Sequence, residues 1–307
     1  MVLPQITHPL IIICGPTAVG KSSLAVTLAK TLNAEIIGAD SQQIYREFDI
    51  GTGKISEAER DGVAHHLIDV AAPTDTCDVG QYVKAADQAI ADITSRGHRV
   101  IVVGGTGMYL RALVYGLVKT ASRDTQIRDQ LTARMESEGL ASLYNELMEV
   151  DPVKAAQLHP NDTTRIIRAL EVWQATGQPL SEIQKTHGFT TPRYPTVWIG
   201  LELPRDELVA RIHSRVDTML ANGWIDEVRS LIQKYGRNCA PFFAVGYREI
   251  ADYLEGQFDE ATLKEKIYVA TRQYSKRQMT WFRGSPEIAW FSPTDVAKIC
   301  DHIQQKG

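Results

Sequence analysis

Cysteine and long apolar runs are scarce in this sequence of 307 residues. The four cysteines lie far apart and form no C-x-x-C pair: Cys14, Cys77, Cys239 and Cys300. This spacing argues against a disulfide framework and against a cysteine-based zinc site, and it favours a reducing cytoplasm. No apolar run approaches the ~20 residues of a membrane span, and the N-terminal segment MVLPQITHPL lacks the pattern of an export signal. We therefore expect a cytoplasmic protein with no membrane association.

An excess of positive charge is also missing. The chain has 33 Lys and Arg residues against 37 Asp and Glu residues, so its formal net charge is −4. This balance argues against a globally basic nucleic-acid binder, although it leaves room for a local basic surface. With 44% apolar and 23% charged residues, the composition is that of an ordinary globular protein. The length suits one large α/β domain or a core with a smaller insert.

The apolar segments that are present predict a parallel sheet. Near-continuous apolar runs alternate with helical patterns, as in sheets covered by helices on both faces. The predicted strands are PLIIIC (9–14), AEIIGAD (34–40), RVIVVGG (99–105), TVWIGLEL (196–203) and the short EIAWFS (287–292). Between about residues 124 and 190 only helical periodicity is visible. We predict a P-loop NTPase-like α/β core at 1–123 and 191–307, with an all-helical insert at 124–190.

The segment CGPTAVGKSS, residues 14–23, fits the phosphate-binding pattern G-x-x-x-x-G-K-[ST]. It lies between a predicted strand and a predicted helix, which is the context that this motif requires. The backbone N–H groups and the helix N-terminus favour negative charge, Lys21 neutralises a phosphate, and the Ser22 hydroxyl ligates Mg²⁺. The predicted phosphate-binding residues are Gly15, Pro16, Thr17, Ala18, Val19, Gly20, Lys21 and Ser22.

The phosphate loop alone leaves the reaction open. An ATPase of this class usually carries an apolar strand that ends in Asp near the Mg²⁺ ion. RVIVVGGTG ends in two glycines, whereas AEIIGAD ends in Asp40, and no guanine-binding N-K-x-D motif is found. Hydrolysis of ATP is therefore disfavoured, and a small-molecule kinase remains open.

Seven segments, taken in order along the chain, resemble the motifs of the tRNA dimethylallyltransferases, the isopentenyl transferases of tRNA. They are GPTAVGKS, GADSQQIYREFDIGTGK, HHLID, VVGGTGMYLRAL, LHPNDTTRIIRALEV, AVGYREI and KRQMTWFRG, from about residue 11 to residue 284. The resemblance implies transfer of a dimethylallyl group from dimethylallyl diphosphate to N6 of the adenosine 3′ of the anticodon in tRNA. Diphosphate, held by the loop and Mg²⁺, is then the leaving group.

The same resemblance implies three catalytic residues. Asp40 accepts the proton or a hydrogen bond of the adenine amine, because a carboxylate helps a poor nucleophile. Thr106 lies near the transferred group, and Arg215 contacts the diphosphate. The structural alternatives are a helix cap or a Mg²⁺ ligand for Asp40, a helix cap for Thr106, and a surface ion pair for Arg215 or Arg211.

The resemblance further implies contacts with tRNA. The predicted residues are Asp40, Ser41, Gln42, Gln43, Thr106, Arg128, Thr164, Arg165, Arg168, Gly246, Tyr247, Arg248, Lys276, Arg277, Gln278, Trp281 and Arg283. Between residues 262 and 284 six basic residues stand against a single acidic one, Glu265, which suits binding of phosphates. Salt bridges within the protein are the alternative for Arg128, Arg165 and Arg168. His65-His66 is a weak metal signal and favours a structural role.

Three other functions remain open at this stage. An adenylate isopentenyltransferase would share the phosphate loop and Asp40 but would prenylate free AMP, ADP or ATP. A small-molecule kinase would use ATP, and a non-catalytic nucleic-acid-binding module would leave Asp40 and the loop unexplained. The long insert and the basic helix favour tRNA as the acceptor. We expect a monomer that binds tRNA, dimethylallyl diphosphate and Mg²⁺.

Overall fold

The computed structural model describes residues 3–4, 6–118, 124–188 and 190–306. The chain divides into two compact units, Met1–Val114 with Arg193–Gly307, and Tyr115–Pro192. The insert boundaries drawn from the sequence, 124 and 190, lie inside the second unit. None of the helices in the described ranges has the length and apolar character needed to cross a bilayer.

The first unit is built on a six-stranded sheet in which every pair of neighbouring strands is parallel. The strands are β1 (Leu10–Cys14), β2 (Ala34–Gly38), β3 (His65–His66), β4 (Arg99–Gly104), β5 (Thr196–Leu201) and β6 (Ile288–Phe291). Their order is β3-β2-β4-β1-β5-β6. The P-loop-like α/β fold predicted from the sequence is confirmed, and the five predicted strands are all present. Only β3, two residues long, was missed, because a run of two has no periodicity.

The helices of the first unit cover the sheet and extend beyond it. They are α1 (Lys21–Leu32), α2 (Glu57–Arg60), α3 (Val79–Ser95), α4 (Gly107–Tyr115), α10 (Arg205–Ala221), α11 (Trp224–Tyr235), α12 (Tyr247–Leu254), α13 (Glu260–Arg283) and α14 (Val296–Lys306). A 3-10 helix spans Ala240–Phe243. The second unit contains α5 (Thr125–Glu138), α6 (Leu140–Val150), α7 (Pro152–Ala155), α8 (Thr163–Thr176) and α9 (Leu180–His187).

Each unit has its own apolar core. In the first unit, Ile11, Ile13, Ile36, Ile101 and Ile199 are fully buried, which explains why these strands are nearly continuous apolar runs. A second cluster in this unit joins α10, α11, α12 and α13 around side chains such as Trp224 and Tyr247. In the second unit, α5, α6 and α8 pack through leucines and isoleucines that recur at helical spacing, including Leu131, Leu147 and Ile166.

The carboxyl ends of β1, β2 and β4 meet at one edge of the sheet, where ligands of open α/β sheets usually bind. The segments that follow these strands, 15–20, 39–43 and 105–106, therefore lie close together. Gly104 shows how close: a Cβ at this position would lie 2.0 Å from the carbonyl oxygen of Ala39. The fold thus brings the phosphate loop, Asp40 and Thr106 to a single edge.

Candidate active site

The phosphate loop connects β1 to α1 and has the backbone shape of an anion-binding turn. Gly15 and Gly20 have φ angles of 144° and 103°, and Ala18 has a φ of 65°. Lys21 Nζ donates hydrogen bonds to the carbonyl oxygens of Gly15 and Pro16, at 3.0 and 2.7 Å. The loop therefore folds around its own lysine, and the strand–loop–helix context predicted from the sequence is present.

Burial sets the protonation of Lys21. It lowers the pKa of the Lys21 ammonium to about 8, while the nearby Asp40 charge acts in the opposite direction and Arg215 adds to the lowering. Burial also lowers the pKa of Arg215, against the attraction of Asp40 and Glu59. Two cations are thus held in a desolvated place, where an added anion gains more than it would in water.

These groups line a cavity of 1120 Å³ in the first unit. Its walls include Lys21, Ser22, Asp40, Arg211 and Arg215. The phosphate loop supplies one wall and α10 supplies another. The cavity is therefore large enough for a diphosphate with an organic tail, and it is lined with cations where an anion would be held.

A second cavity of 340 Å³ also has Asp40 in its wall. Ser41, Gln42, Phe243 and Arg277 line it, and Gln42 Oε1 is buried without a hydrogen-bond partner in the described part of the chain. Both cavities share one set of wall residues, which comprises Thr17, Ala18, Asp40, Thr52, Arg215, Met219 and Tyr274. Asp40 therefore stands where the two cavities meet.

The carboxylate of Asp40 is fixed by the turn that follows it. The backbone N–H groups of Gln42 and Gln43 donate to Asp40 Oδ1, at 2.9 and 3.4 Å. No helix begins at Asp40, so the helix cap that we set against catalysis is absent there, and Oδ1 caps a turn instead. Gln43 itself is turned toward the protein, since its Nε2 donates to the carbonyl oxygens of Thr52 and Gly53.

Hydrogen bonds to the two residues that flank Asp40 hold Thr106 beside it. Its Oγ1 accepts a hydrogen bond from the Ser41 N–H at 3.1 Å, and its own N–H donates to the carbonyl oxygen of Ala39 at 3.2 Å. Its carbonyl accepts from Tyr109 in the first turn of α4. Thr106 therefore joins the start of α4 to the segment that carries Asp40.

The two arginines of α10 have different surroundings. Arg211 Nη2 donates to Glu207 at 2.8 Å, which is the surface ion pair that we considered as an alternative. Arg215 lines both cavities, and its Nη2 lies 3.5 Å from the carbonyl oxygen of Thr52. Arg211 thus lines the larger cavity from an exposed, ion-paired position, whereas Arg215 lines both cavities.

Helix α13 has an exposed basic side and a buried polar residue. Lys276, Arg277, Trp281 and Arg283 are exposed, and Arg283 lies 3.6 Å from Glu202. Gln278 is only 6% exposed and points into the first unit. Of the six basic residues between 262 and 284, Lys264 also pairs with Asp217 and Arg272 with Glu265, so part of this positive charge is balanced.

The motif Gly246-Tyr247-Arg248 opens α12. Tyr247 is 1% exposed, and its hydroxyl donates to Glu227 Oε1 at 2.6 Å. Arg248 donates to Glu249 at 2.7 Å. Glu227, on α11, was not singled out in the sequence, because a lone glutamate on a helix has no motif and its partners are distant in the chain.

In the second unit, the predicted tRNA-contacting arginines carry ion pairs. The carboxylate of Glu171, which is 1% exposed, pairs with Arg168 at 2.9 Å and with Arg128 at 3.5 Å. Arg165 lies 3.5 Å from Asp162, and Thr164 is exposed nearby on α8. The salt bridges that we considered as the alternative to tRNA contact are therefore present for all three arginines.

The two adjacent histidines form strand β3. His66 Nε2 lies 2.6 Å from Glu35 Oε2, and His65 Nδ1 lies 2.9 Å from the carbonyl oxygen of Val63. Within the described residues, no group of three or more His, Cys, Asp or Glu side chains is arranged to hold a metal ion. The structural role predicted for this pair fits these contacts.

Comparison with known proteins decides the family. Residues 43–285 match the model of the IPP transferase family, which is more than half of the chain. The chain belongs to the IPP transferase family. Among its relatives are the tRNA dimethylallyltransferase 2 of Geotalea daltonii, 45% identical over 96% of this chain and 91% of that protein, and the tRNA dimethylallyltransferase of Geobacter metallireducens, 47% identical over 92% and 91%.

Solved structures of IPP transferases agree with this assignment. The full-length tRNA isopentenylpyrophosphate transferase of Bacillus halodurans is 38% identical, has a TM-score of 0.73 and is covered over 98% of both chains. A eukaryotic dimethylallyltransferase acting on tRNA is 30% identical with a TM-score of 0.82, over 97% of this chain and 77% of the other. The family resemblance inferred from the motifs is confirmed.

Proposed function

We propose that this protein is a tRNA dimethylallyltransferase. It transfers the dimethylallyl group of dimethylallyl diphosphate to N6 of the adenosine 3′ of the anticodon and releases diphosphate. The observation that carries the proposal is the position of Asp40 where two cavities meet, the larger lined by Lys21 and Ser22 and the smaller by Ser41 and Gln42. A carboxylate at such a junction is placed to serve an acceptor on one side and a donor on the other.

On the donor side, the 1120 Å³ cavity binds the diphosphate. Lys21, the loop N–H groups and Arg215 stabilise the negative charge that grows on the oxygen bridging to the prenyl carbon as the carbon–oxygen bond breaks. Burial lowers the pKa of both cations, so a bound anion stabilises their charged forms against the cost of desolvation.

The side chains on the donor side fit a Mg²⁺ ion that is bound jointly by the protein and the diphosphate. Ser22 and Asp40, which line the same cavity, offer oxygen atoms, the ligands that Mg²⁺ prefers. Ser22 and the oxygens of the diphosphate would hold the ion, since this metal commonly keeps several waters and binds together with substrate phosphates. When bound, it neutralises charge on the departing diphosphate.

On the acceptor side, the 340 Å³ cavity takes the adenine base, which must leave its stack to reach a buried carboxylate. Asp40 accepts the proton of the exocyclic amine as the nitrogen–carbon bond forms, so that a neutral prenylated amine results. We assign Thr106, whose Oγ1 accepts a hydrogen bond from the Ser41 N–H, a place beside the transferred group, as the family resemblance implies. The buried Gln42 Oε1, which has no partner in the described residues, suits a donor on the edge of the base.

The surface that surrounds this chemistry favours a polynucleotide acceptor. Lys276, Arg277 and Arg283 are exposed on α13 together with Trp281, and cations combined with an aromatic side chain suit RNA phosphates and unstacked bases. The names of the relatives also favour tRNA over free adenylate and over a kinase reaction. We further propose that the anticodon loop is the part of the tRNA that is bound, that the enzyme is a monomer, and that it acts in the cytoplasm.

An experiment that compares two acceptors tests the proposal. The protein and Mg²⁺ are incubated with labelled dimethylallyl diphosphate and either unmodified tRNA or AMP. Label should appear in tRNA and stay absent from AMP. Incorporation into AMP alone would establish the adenylate alternative, and phosphorylation from ATP without prenyl transfer would establish the kinase.

A further inference from the structure

The side chain of Gln278 joins helix α13 to two segments of the active site. Its Oε1 accepts a hydrogen bond from the Thr17 N–H at 2.8 Å, across 261 residues of sequence. Its Nε2 donates to the carbonyl oxygen of Gly105 at 3.0 Å, across 173 residues. Both ends of one buried amide are therefore used on backbone groups, one in the phosphate loop and one next to Thr106.

The fit of α13 at this place is tight. A Cβ at Gly105 would lie 2.1 Å from Gln278 Nε2, and a Cβ at Gly107 would lie 2.2 Å from Trp281 Cδ1. A side chain at Gly105 would displace the amide of Gln278, and one at Gly107 would displace the indole of Trp281. Helix α13 therefore packs directly against the segment that carries Thr106, and a shift of the helix would change the position of that segment.

The opposite side of the same helix turn is the exposed basic surface. Lys276 and Arg277 precede Gln278 and Trp281 follows it, and all three are exposed, whereas Gln278 is buried. The residues that would contact RNA and the residue that makes the buried hydrogen bonds are thus neighbours on one helix. RNA that binds the exposed side of α13 can therefore affect the hydrogen bonds of Gln278 on the buried side without the movement of a loop.

We infer that Gln278 is a positioning residue that couples RNA binding on α13 to the grip of the phosphate loop on diphosphate. The inference rests on the proposed function. By anchoring Thr17 and Gly105 together, Gln278 fixes the phosphate loop relative to the Thr106 segment, with Asp40 beside both. RNA that holds α13 in place then holds the loop in its anion-binding shape. The tRNA contact expected of Gln278 from the sequence is replaced in this account by an inward role.

The test measures binding, so it does not depend on turnover. Affinity for inorganic diphosphate with Mg²⁺ is measured in the presence and absence of an unmodified anticodon stem-loop RNA, for the full chain and for Gln278→Met. Methionine keeps the length of the side chain but offers neither strong hydrogen bond. Loss of one such bond corresponds to about a tenfold weaker affinity for diphosphate. The affinity for RNA alone should change by less than about twofold, a shift worth a few tenths of a kcal/mol.

Coupling is the readout that a purely structural role would not move. In the wild-type protein, RNA should raise the affinity for diphosphate, and diphosphate should raise the affinity for RNA by the same factor. In Gln278→Met this factor should fall close to one. Gln273→Met makes the same chemical change at an exposed position of α13 and should alter neither affinity nor the coupling.

Lys276→Met separates the two sides of the helix, because it should weaken RNA binding and leave the affinity for diphosphate alone unchanged. If Gln278→Met melts near the assay temperature, Gln278→Glu decides, since it keeps an acceptor for Thr17 and places a carboxylate oxygen against the Gly105 carbonyl. The inference is overturned if the Gln278 variant weakens RNA binding while diphosphate affinity stays at the wild-type value, or if coupling survives. Failure of the proposed function would instead appear as absent prenyl transfer by the wild-type protein.

Discussion

The hydroxyl of Tyr247 donates a hydrogen bond to Oε1 of Glu227 at 2.6 Å. The same carboxylate accepts the N–H groups of Asp49, Ile50 and Gly51, at 3.1, 2.7 and 3.3 Å. Burial, and then the Glu227 charge, raise the pKa of Tyr247 far above its ordinary value, so the phenol stays a donor. One side chain thus fixes a loop whose next residue, Thr52, lines both cavities.

Replacement of Glu227 should therefore loosen this loop. In Glu227→Gln a neutral amide replaces the carboxylate, and several charge-assisted hydrogen bonds are lost or weakened. We expect a fall of about 1–3 kcal/mol in the free energy of unfolding, measured by urea titration. Asp226→Asn is the matched control, because Asp226 is exposed and its pair with Arg229 lies at the surface. Equal stabilities of the two variants would contradict the role given to Glu227.

The lowered pKa of Lys21 predicts a pH dependence. In the free enzyme the ammonium is charged below a pH of about 8 and neutral above it, because burial lowers its pKa to about 8. Binding of diphosphate needs the charged form, and kcat/KM reports the free enzyme. The kcat/KM for dimethylallyl diphosphate should fall as the pH rises through about 8. Lys21→Arg stays charged, so its kcat/KM should not fall in this pH range. A fall that persists in this variant would come from another group and would contradict the prediction.

Glu35 predicts a loss of stability in acid. Burial raises the pKa of this carboxyl, but hydrogen bonds from His66, Arg96 and His98 outweigh it, so the net pKa lies below the ordinary value. Its contribution is complete above the unfolded pKa of about 4.3 and is lost as the pH falls through the folded pKa. Glu35→Gln should cost about 1–3 kcal/mol at neutral pH, measured by urea unfolding, and the gap should shrink below pH ~4. A gap that is constant with pH would contradict this.

Gly53 predicts a specific effect on Arg215. Its φ is +58°, and a Cβ there would lie 1.9 Å from Arg215 Nη2, so Gly53→Ala should push the guanidinium away. We expect a rise of about tenfold in KM for the diphosphate substrate, the cost of one charge-assisted contact. Gly62→Ala is the matched control: its φ is +78° and nothing lies within 4 Å, so it carries the backbone strain alone. Similar KM values in both variants would rule out displacement of Arg215.

The sequence predicted the sheet well because its strands are buried on both faces and read as continuous apolar runs. The phosphate loop, Asp40 and Thr106 follow such runs, and the parallel topology alone brings them to one edge. The inward turn of Gln278 was beyond reach, since its partners lie 261 and 173 residues away. Salt bridges were an alternative for Arg128 and Arg168, and Glu171 lies within one turn of Arg168 on α8, but the sequence does not show that Arg128 of α5 shares this carboxylate.

The central claim is that Asp40 assists attack by the adenine amine on the prenyl carbon. The most direct measurement is mass spectrometry of nucleosides from unmodified tRNA treated with dimethylallyl diphosphate and Mg²⁺, for the wild-type protein and for Asp40→Asn, with tRNA affinity measured in parallel. The account predicts one adenosine prenylated at N6, 3′ of the anticodon, with the wild-type protein. With Asp40→Asn it predicts a rate at least about 100-fold lower, as for loss of a general base, and nearly unchanged tRNA affinity. Prenylation of another atom, or equal rates for the two proteins, would contradict it.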